Sequence, residues 1–380
     1  MAKNNKKLAG LNLCGYVLAD SDLSNADLKK TQLRGANLAG VDLSNADLTE
    51  ADLTGANLSG ADMYQAKLCG AICVGTDMSG ADLTSANFLD ASMSGCNLTG
   101  AKLSGGNFES VSMSGADLTE ADLSEANFSK AILSGVNLSK ATMSRSILLD
   151  AKLFAANMQS ANLRDSKLDG ANLASALLYD AELRDVSLTR ANLAGANLRS
   201  ADLSNANLEQ VDLSSSNMDA SNLSNASIDG AFIQHSRMTR ANLNGTSFKE
   251  SNLRFSRIKG ARLAKANMQG ANLQYTGMFQ QEVLKHFPEL KHNKKTVWDF
   301  QRNTQAAPVS AVISTPFQQK NMQKKGTQEG VNAMKIDINP NDMSDSKNET
   351  LDGNKQSDLV SQEEIIIVKK KSFFSKLFGR

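Results

Sequence analysis

Asp22, Asp42, Asp62 and Asp82 stand twenty residues apart, and the same step continues through Lys102 to Asp122. Thr142 and Asn162 follow, then Glu182 and Asp202. If the fold brings these residues into one column, carboxylates about 4.8 Å apart repel each other and their chemistry is that of a concentrated negative field. Such a ladder imitates nucleic-acid phosphates toward a DNA-binding enzyme; the plainer alternative is a solvated face. Asn is an equally common choice at this position, which favours the plainer reading. Charge is also segregated along the chain. Val41 to Lys130 holds 13 acidic and 3 basic residues, whereas Arg237 to Lys265 holds eight basic and one acidic.

Groups for catalysis are sparse. The three histidines, His235, His286 and His292, fall in no motif that pairs them with a nucleophile or a metal-ligand set. The chain has four cysteines, Cys14, Cys69, Cys73 and Cys96, with no zinc spacing and no disulfide framework. Neither catalysis nor a cofactor is expected.

The element that must position these residues is a repeat of five. From Leu8 to Met278 a step of five meets 55 positions, and each holds Leu, Met, Phe, Ile or Cys. The residues two before these centres form a second series, and from Ser21 to Thr276 it is restricted to Ala, Ser, Thr, Val, Cys or Gly. A period of five fits neither an amphipathic helix nor a plain strand, so the chain must turn a corner every few residues. Gly15, Gly35, Gly55, Gly75, Gly95, Gly115 and Gly135 recur at twenty, as do Phe88, Phe108 and Phe128. Twenty is four pentads, which predicts a square coil with large and small residues inside. Cys73 at a centre and Cys96 at a small position then read as core. Stacked at strand spacing, thirteen to fourteen coils make a rod roughly 65 Å long.

The runs ADLSN, ANLAG, ADLTG and ANLSG resemble the A(D/N)LXX unit of pentapeptide repeat proteins over about 70% of the chain. The resemblance implies an all-β solenoid, a right-handed quadrilateral β-helix with four pentads per coil. It leaves function open, because the family includes topoisomerase inhibitors that imitate DNA, secreted bacterial effectors, and members without a known role.

Around the repeat the chain divides into an N-terminal tail at 1–7, the β-helix at 8–278, a helical cap at 279–301, a disordered linker at 302–362 and a basic amphipathic tail at 363–380. Val283, Leu284, Phe287 and Leu290 supply the apolar side of the cap, which covers the edge of the last coil. Leu11 and Tyr16, large at small inward positions, are expected to plug the first. The linker is polar and aperiodic. Its reach is roughly 40 to 45 Å by flexible-chain scaling.

The start of the chain has no apolar core of the kind a signal peptide needs, and no run of about eighteen apolar residues predicts a spanning helix. On a helix Phe373, Phe374, Leu377 and Phe378 share one face, flanked by Lys369, Lys370, Lys371, Lys376 and Arg380. Basic and aromatic residues so arranged suit an anionic membrane surface, or else a groove on a protein partner. KKKSFFSKLFGR resembles the C-terminal membrane-targeting helix of the MinD type of bacterial division-site ATPase. The run Ile365 to Val368 would alternatively add a strand to a partner's sheet edge.

With a net charge of +1, direct nucleic-acid binding is not expected. Two readings stay open: a non-enzymatic scaffold in the cytoplasm, peripheral at the inner face of the membrane and joined to an unidentified protein partner, or a DNA-mimic modulator of a type II topoisomerase. A secreted effector is a third implication of the resemblance. A homodimer would let two tails act together.

Overall fold

The computed structural model describes residues 6–299. The linker at 302–362 and the tail at 363–380 lie outside the described residues.

One pentad explains the rest. In 41–45, VDLSN, Val41 and Leu43 are buried while Asp42, Ser44 and Asn45 face outward, the alternation of an extended chain. The Leu43 carbonyl accepts the Ala46 N–H at 3.0 Å and closes a four-residue turn. Its third residue, Asn45, is left-handed with φ 58°. Asn and Gly tolerate that conformation best, but the repeat also imposes it on residues such as Glu120 (φ 59°). Four such corners return the chain to its starting side, so that Asp42 bridges Asp62 and Asn57 bridges Asp77, both in parallel.

Hydrogen-bond accounting shows why five residues suffice. Asp42 donates its N–H to Ser21 in the coil before, and Leu43 donates to Asp62 in the coil after, at 3.0 and 2.7 Å. Asn45 donates to Tyr64 at 2.8 Å and Val41 to Leu38 across the preceding turn at 3.2 Å. Only Ser44 has no backbone acceptor; its N–H goes to Asp42 Oδ1 at 2.9 Å. All five donors are thereby satisfied, and the fourth depends on Asp or Asn at the second position.

Among the described residues no strand forms. A corner interrupts each side after one bridging residue, so the sheet exists as rows of isolated parallel bridges. The interior is filled by the centres: Leu43, Leu123, Phe108 and Leu203 are each at most 1% exposed. Phe88, Phe108 and Phe128 stack with ring centroids 5.1 and 4.8 Å apart, which is the spacing of the coils. Cys73 and Cys96 are buried in this core, and Cys96 donates its thiol to the Cys73 carbonyl. Burial pushes the Cys96 thiol up to about 12.

The ends depart from expectation. Lys6 and Lys7 already belong to a coil, because Asp27 donates to the Lys6 carbonyl at 2.9 Å and Lys7 bridges Asp27. Leu11 does not plug the first coil; it is exposed, and Tyr16 is only half-buried. Leu8, Leu13 and Leu18 fill the interior by themselves, and a large side chain does not fit where neighbouring sides approach. At the other end, helix α1 spans only Gln280–His286 and buries none of its residues. Leu290 is buried, and the chain then adds two further sides, with Lys291 bridging Asn267 and Val297 bridging Asn272. The last edge is thus covered mainly by more coil. Thr296 ties this segment down by donating to the Met268 carbonyl at 2.8 Å.

Candidate interaction faces

The acidic residues do form one column. Asp22 bridges Asp42, Asp42 bridges Asp62, Asp62 bridges Asp82, and Lys102 stands between Asp82 and Asp122. Each carboxylate is also half of a turn: Oδ1 of Asp22, Asp62, Asp82 and Asp122 accepts the N–H two residues on, each at 3.0 Å, as Asp42 does for Ser44. Sequence reasoning missed this role. The available signal was the free interchange of Asp with Asn, the two residues that offer Oδ1 in the same place.

Asn does more where it follows another carbonyl acceptor in the column. Asn97 donates Nδ2–H to Asp77 Oδ1 at 3.0 Å, and Asn242 donates to Asn222 Oδ1 at 2.9 Å. Asp cannot donate, and like charges add repulsion. Changing Asp42 and Asp62 together to Asn therefore keeps both turns, adds a donor to each and raises the denaturation midpoint, with a gain of about 0.5 kcal/mol per site. Asp→Ala at the same two sites lowers the midpoint. Chemical denaturation reads both, and a fall on Asp→Asn would refute the ladder account.

Three carboxylates of the column, Asp22, Asp82 and Asp202, are held below the ordinary value, Asp202 against burial by hydrogen bonds from Arg184 and Ser204. The Ser24 hydroxyl, then Lys6, whose Nζ stands 2.9 Å from it, hold Asp22 down to about 2. Burial works against ionisation at Asp82, and hydrogen bonds from Thr84 together with Lys102 overcome it, so its carboxyl is lowered as well. A lowered folded value means stabilisation that is complete above the ordinary value. For Asp22 it is lost as pH falls from about 4 toward 2. Exposure keeps this contribution small.

The basic end is arranged differently. Arg237 pairs with Asp219, and Lys249 lies 3.6 Å from Asp229. Arg240, Arg254, Arg257, Lys259, Arg262 and Lys265 have no carboxylate within ion-pair distance among the described residues. Three rings share one corner beside them: His235 on Phe255 at 4.9 Å and Phe255 on Tyr275 at 4.5 Å, all nearly parallel. The Arg254 guanidinium lies 5.2 Å from the Phe255 centroid. This ring column was readable at the step of twenty, but only once corner positions are separated from faces.

Among the described residues there is no group of His, Cys, Asp and Glu arranged to hold a metal ion. A depression of about 280 Å³ lies over Arg164, Glu182, Arg184 and Asp202. Its charges answer one another, with Arg184 and Asp202 2.9 Å apart.

A coil with a filled interior, one pentad to a side, defines a solenoid whose accessible surface is its outside. The family description "Pentapeptide repeats (8 copies)" matches residues 31–68, 61–100, 91–129, 206–245 and 236–274, and "Pentapeptide repeat region" matches 121–198. The chain belongs to the pentapeptide repeat family. The matched residues all lie between 31 and 274, so neither match supports the likeness of the tail to the MinD-type helix.

No curated protein matches the chain. Among solved structures it is similar to HetL, a pentapeptide repeat protein involved in heterocyst differentiation regulation from the cyanobacterium Nostoc sp., at 30% identity and a TM-score of 0.40, covering 63% of this chain and 91% of that one. Rfr23, a pentapeptide repeat protein from the cyanobacterium Cyanothece, is 30% identical over 30% of this chain and 66% of its own, with a TM-score of 0.20. Full-length QnrB1, a plasmid-mediated fluoroquinolone resistance protein, is 17% identical over 59% of this chain and 92% of its own, with a TM-score of 0.23.

Proposed function

We propose that the protein is a non-enzymatic interaction rod, a right-handed quadrilateral coil that presents flat faces of different charge to protein partners. The observation that carries this reading is the filled interior: centres from Leu8 to Met278 are closed to water, so recognition is left to outward residues. Catalysis by preorganised charge needs a site that excludes water, and the charged depression at Glu182 and Asp202 is open and internally paired. The tail residues Lys369, Lys370, Lys371, Phe373, Phe374, Lys376, Leu377, Phe378 and Arg380 serve as a tether to an anionic membrane surface, placing the protein in the cytoplasm at the inner face of the membrane.

The tether is tested by sedimenting the full chain with vesicles. Binding to anionic but not neutral vesicles is expected, with loss in high salt and on changing Phe373, Phe374 and Phe378 to Ser. Equal retention by neutral vesicles, or none by either, removes the membrane and leaves a protein groove as the tail's target.

The contiguity of Asp22, Asp42, Asp62 and Asp82 favours a second reading, a DNA-mimic modulator of a type II topoisomerase. The turn role of each carboxylate accounts for the column without it. The purified protein is expected to leave gyrase supercoiling unchanged, and potent inhibition would put mimicry first.

A further inference from the structure

One side of the coil differs from the other three. It is built by the pentads at 11–15, 31–35 and each twenty residues on to 271–275, and carries five charged residues where the others carry twelve, sixteen and nineteen. Eight of the twelve large apolar residues exposed among the described residues stand on it, including Ile72, Val74, Phe154 and Phe232. These residues stand in separate groups along the side, at Ile72 and Val74, at Ile132 and Phe154, and from Phe232 to Tyr275, on a surface poor in charge, which suits an interaction surface. One edge of the side also changes character along the rod. Its corners are glycines from Gly15 to Gly135, and at Gly35, Gly55 and Gly75 no atom lies within 4 Å of where a Cβ would stand. In the last three coils the same corner holds the stacked rings of His235, Phe255 and Tyr275.

We propose that this side is the interface of an antiparallel homodimer, two copies lying face to face about a two-fold axis through the coil that holds Phe154. The inference stands apart from which membrane or partner the rod serves. A two-fold axis perpendicular to the rod, lying in the plane of the interface, sets each coil against the one equally far on the other side of Phe154. It keeps each corner on its own edge.

The register then matches in three ways. Four coils out, Ile72 meets Phe232 of the other copy, apolar on apolar. Five coils out, Asp52 stands in the coil opposite Arg254, which has no carboxylate partner of its own among the described residues; Asp52 Oδ1 is committed to Thr54 in its turn, and its Oδ2 makes one ion pair, a long contact to Arg34 at 3.5 Å. Along the edge, Gly75, Gly55 and Gly35 oppose His235, Phe255 and Tyr275, so the rings fill room left by missing side chains. Lys152 meets its own copy at the axis, a like-charge contact that works against the pairing there.

Other arrangements lose these matches. A shift of one coil in one direction sets Arg34 against Arg254, and in the other sets Ile72 and Val74 against Arg254. A parallel pair, with its axis along the rod, keeps each coil level, exchanges the two edges and takes the rings off the glycines. Thirteen coils in contact make a strip about 60 Å by 10 Å, or about 1,200 Å² over both copies, the lower end of stable interface size. The dimer should therefore dissociate on dilution.

The test is sedimentation equilibrium of the full chain across a wide range of concentration. The expected result is a mass of two chains giving way to one on dilution. Asp52→Arg and Arg254→Asp each weaken association at least about tenfold by setting like charges together. The double variant returns most of the loss, which independent surface damage would not do. In a background with Cys14 and Cys69 changed to Ser, Phe154→Cys oxidises to a disulfide-linked dimer. A monomer at every concentration, a dimer indifferent to both charge changes, no rescue in the double variant with each single variant still folded, or no Phe154→Cys cross-link would overturn the proposal.

Discussion

Leu123→Asp abolishes the cooperative folding of the rod. Leu123 is fully buried, and its N–H is already committed to Thr142 at 2.7 Å, so the backbone holds the side chain pointing inward. The substitution removes the packing of a leucine, about 2 to 5 kcal/mol, and places a carboxyl where no water reaches it. No corner can rotate the group outward without breaking the bonds to the coils on either side. Because each coil is stabilised only by its neighbours, damage in the middle also removes the support of the coils that flank it. Chemical denaturation should show a midpoint lowered by the equivalent of more than about 5 kcal/mol, or two separate transitions from the two half rods. Leu123→Met keeps the volume and should cost less than about 1.5 kcal/mol. A Leu123→Asp protein that melts with the parent would refute the inward assignment.

Phe108→Ala is the next largest effect. Phe108 lies between Phe88 and Phe128 with both ring faces covered, and truncation of a buried Phe costs about 3 to 5 kcal/mol. Phe248 provides the comparison: it is equally buried, but Ile228 and Met268 occupy the neighbouring coils of its column. Stacked ring pairs contribute about 0.5 to 1.5 kcal/mol beyond burial. Phe108→Ala should accordingly exceed Phe248→Ala by about 1 to 3 kcal/mol in denaturation. Equal losses would mean that the column is stabilised by area alone.

The same Phe column shows how much of the fold was legible. Phe88, Phe108 and Phe128 at a step of twenty pointed to stacked neighbours, and the rings do stack. Gly106 was readable only as one of the small residues. A Cβ there would lie 2.6 Å from the Phe108 ring, so glycine replaces alanine beside this particular side chain. The acidic column was legible as a column, yet its purpose was not. A sequence shows charge at Asp42 and Asp62 but not that the N–H groups of Ser44 and Tyr64 lack any other acceptor.

The two ends were the least legible part. The readings of Leu11 as a plug and of a helix as the whole cap both extended rules of the middle, where every pentad has a coil above and below. At an end one neighbour is missing, and periodicity carries no information about what replaces it. Leu11 turns outward, and the segment from Leu290 to Val297 closes two sides with additional coil.

The sequence by itself determined the inward set, the number of sides and the order of coils, because a strict period gives each pentad the same surroundings and local residue types then suffice. Only the tertiary structure decided which outward residues become neighbours. Ile72 and Phe154 lie 82 residues apart in the chain yet stand on one charge-poor side. Phe255 and Arg254, adjacent in sequence, divide between a corner and a face. Outward residues carry no constraint from core packing, so their meaning depends on the stacking that sets residue n beside residue n plus twenty.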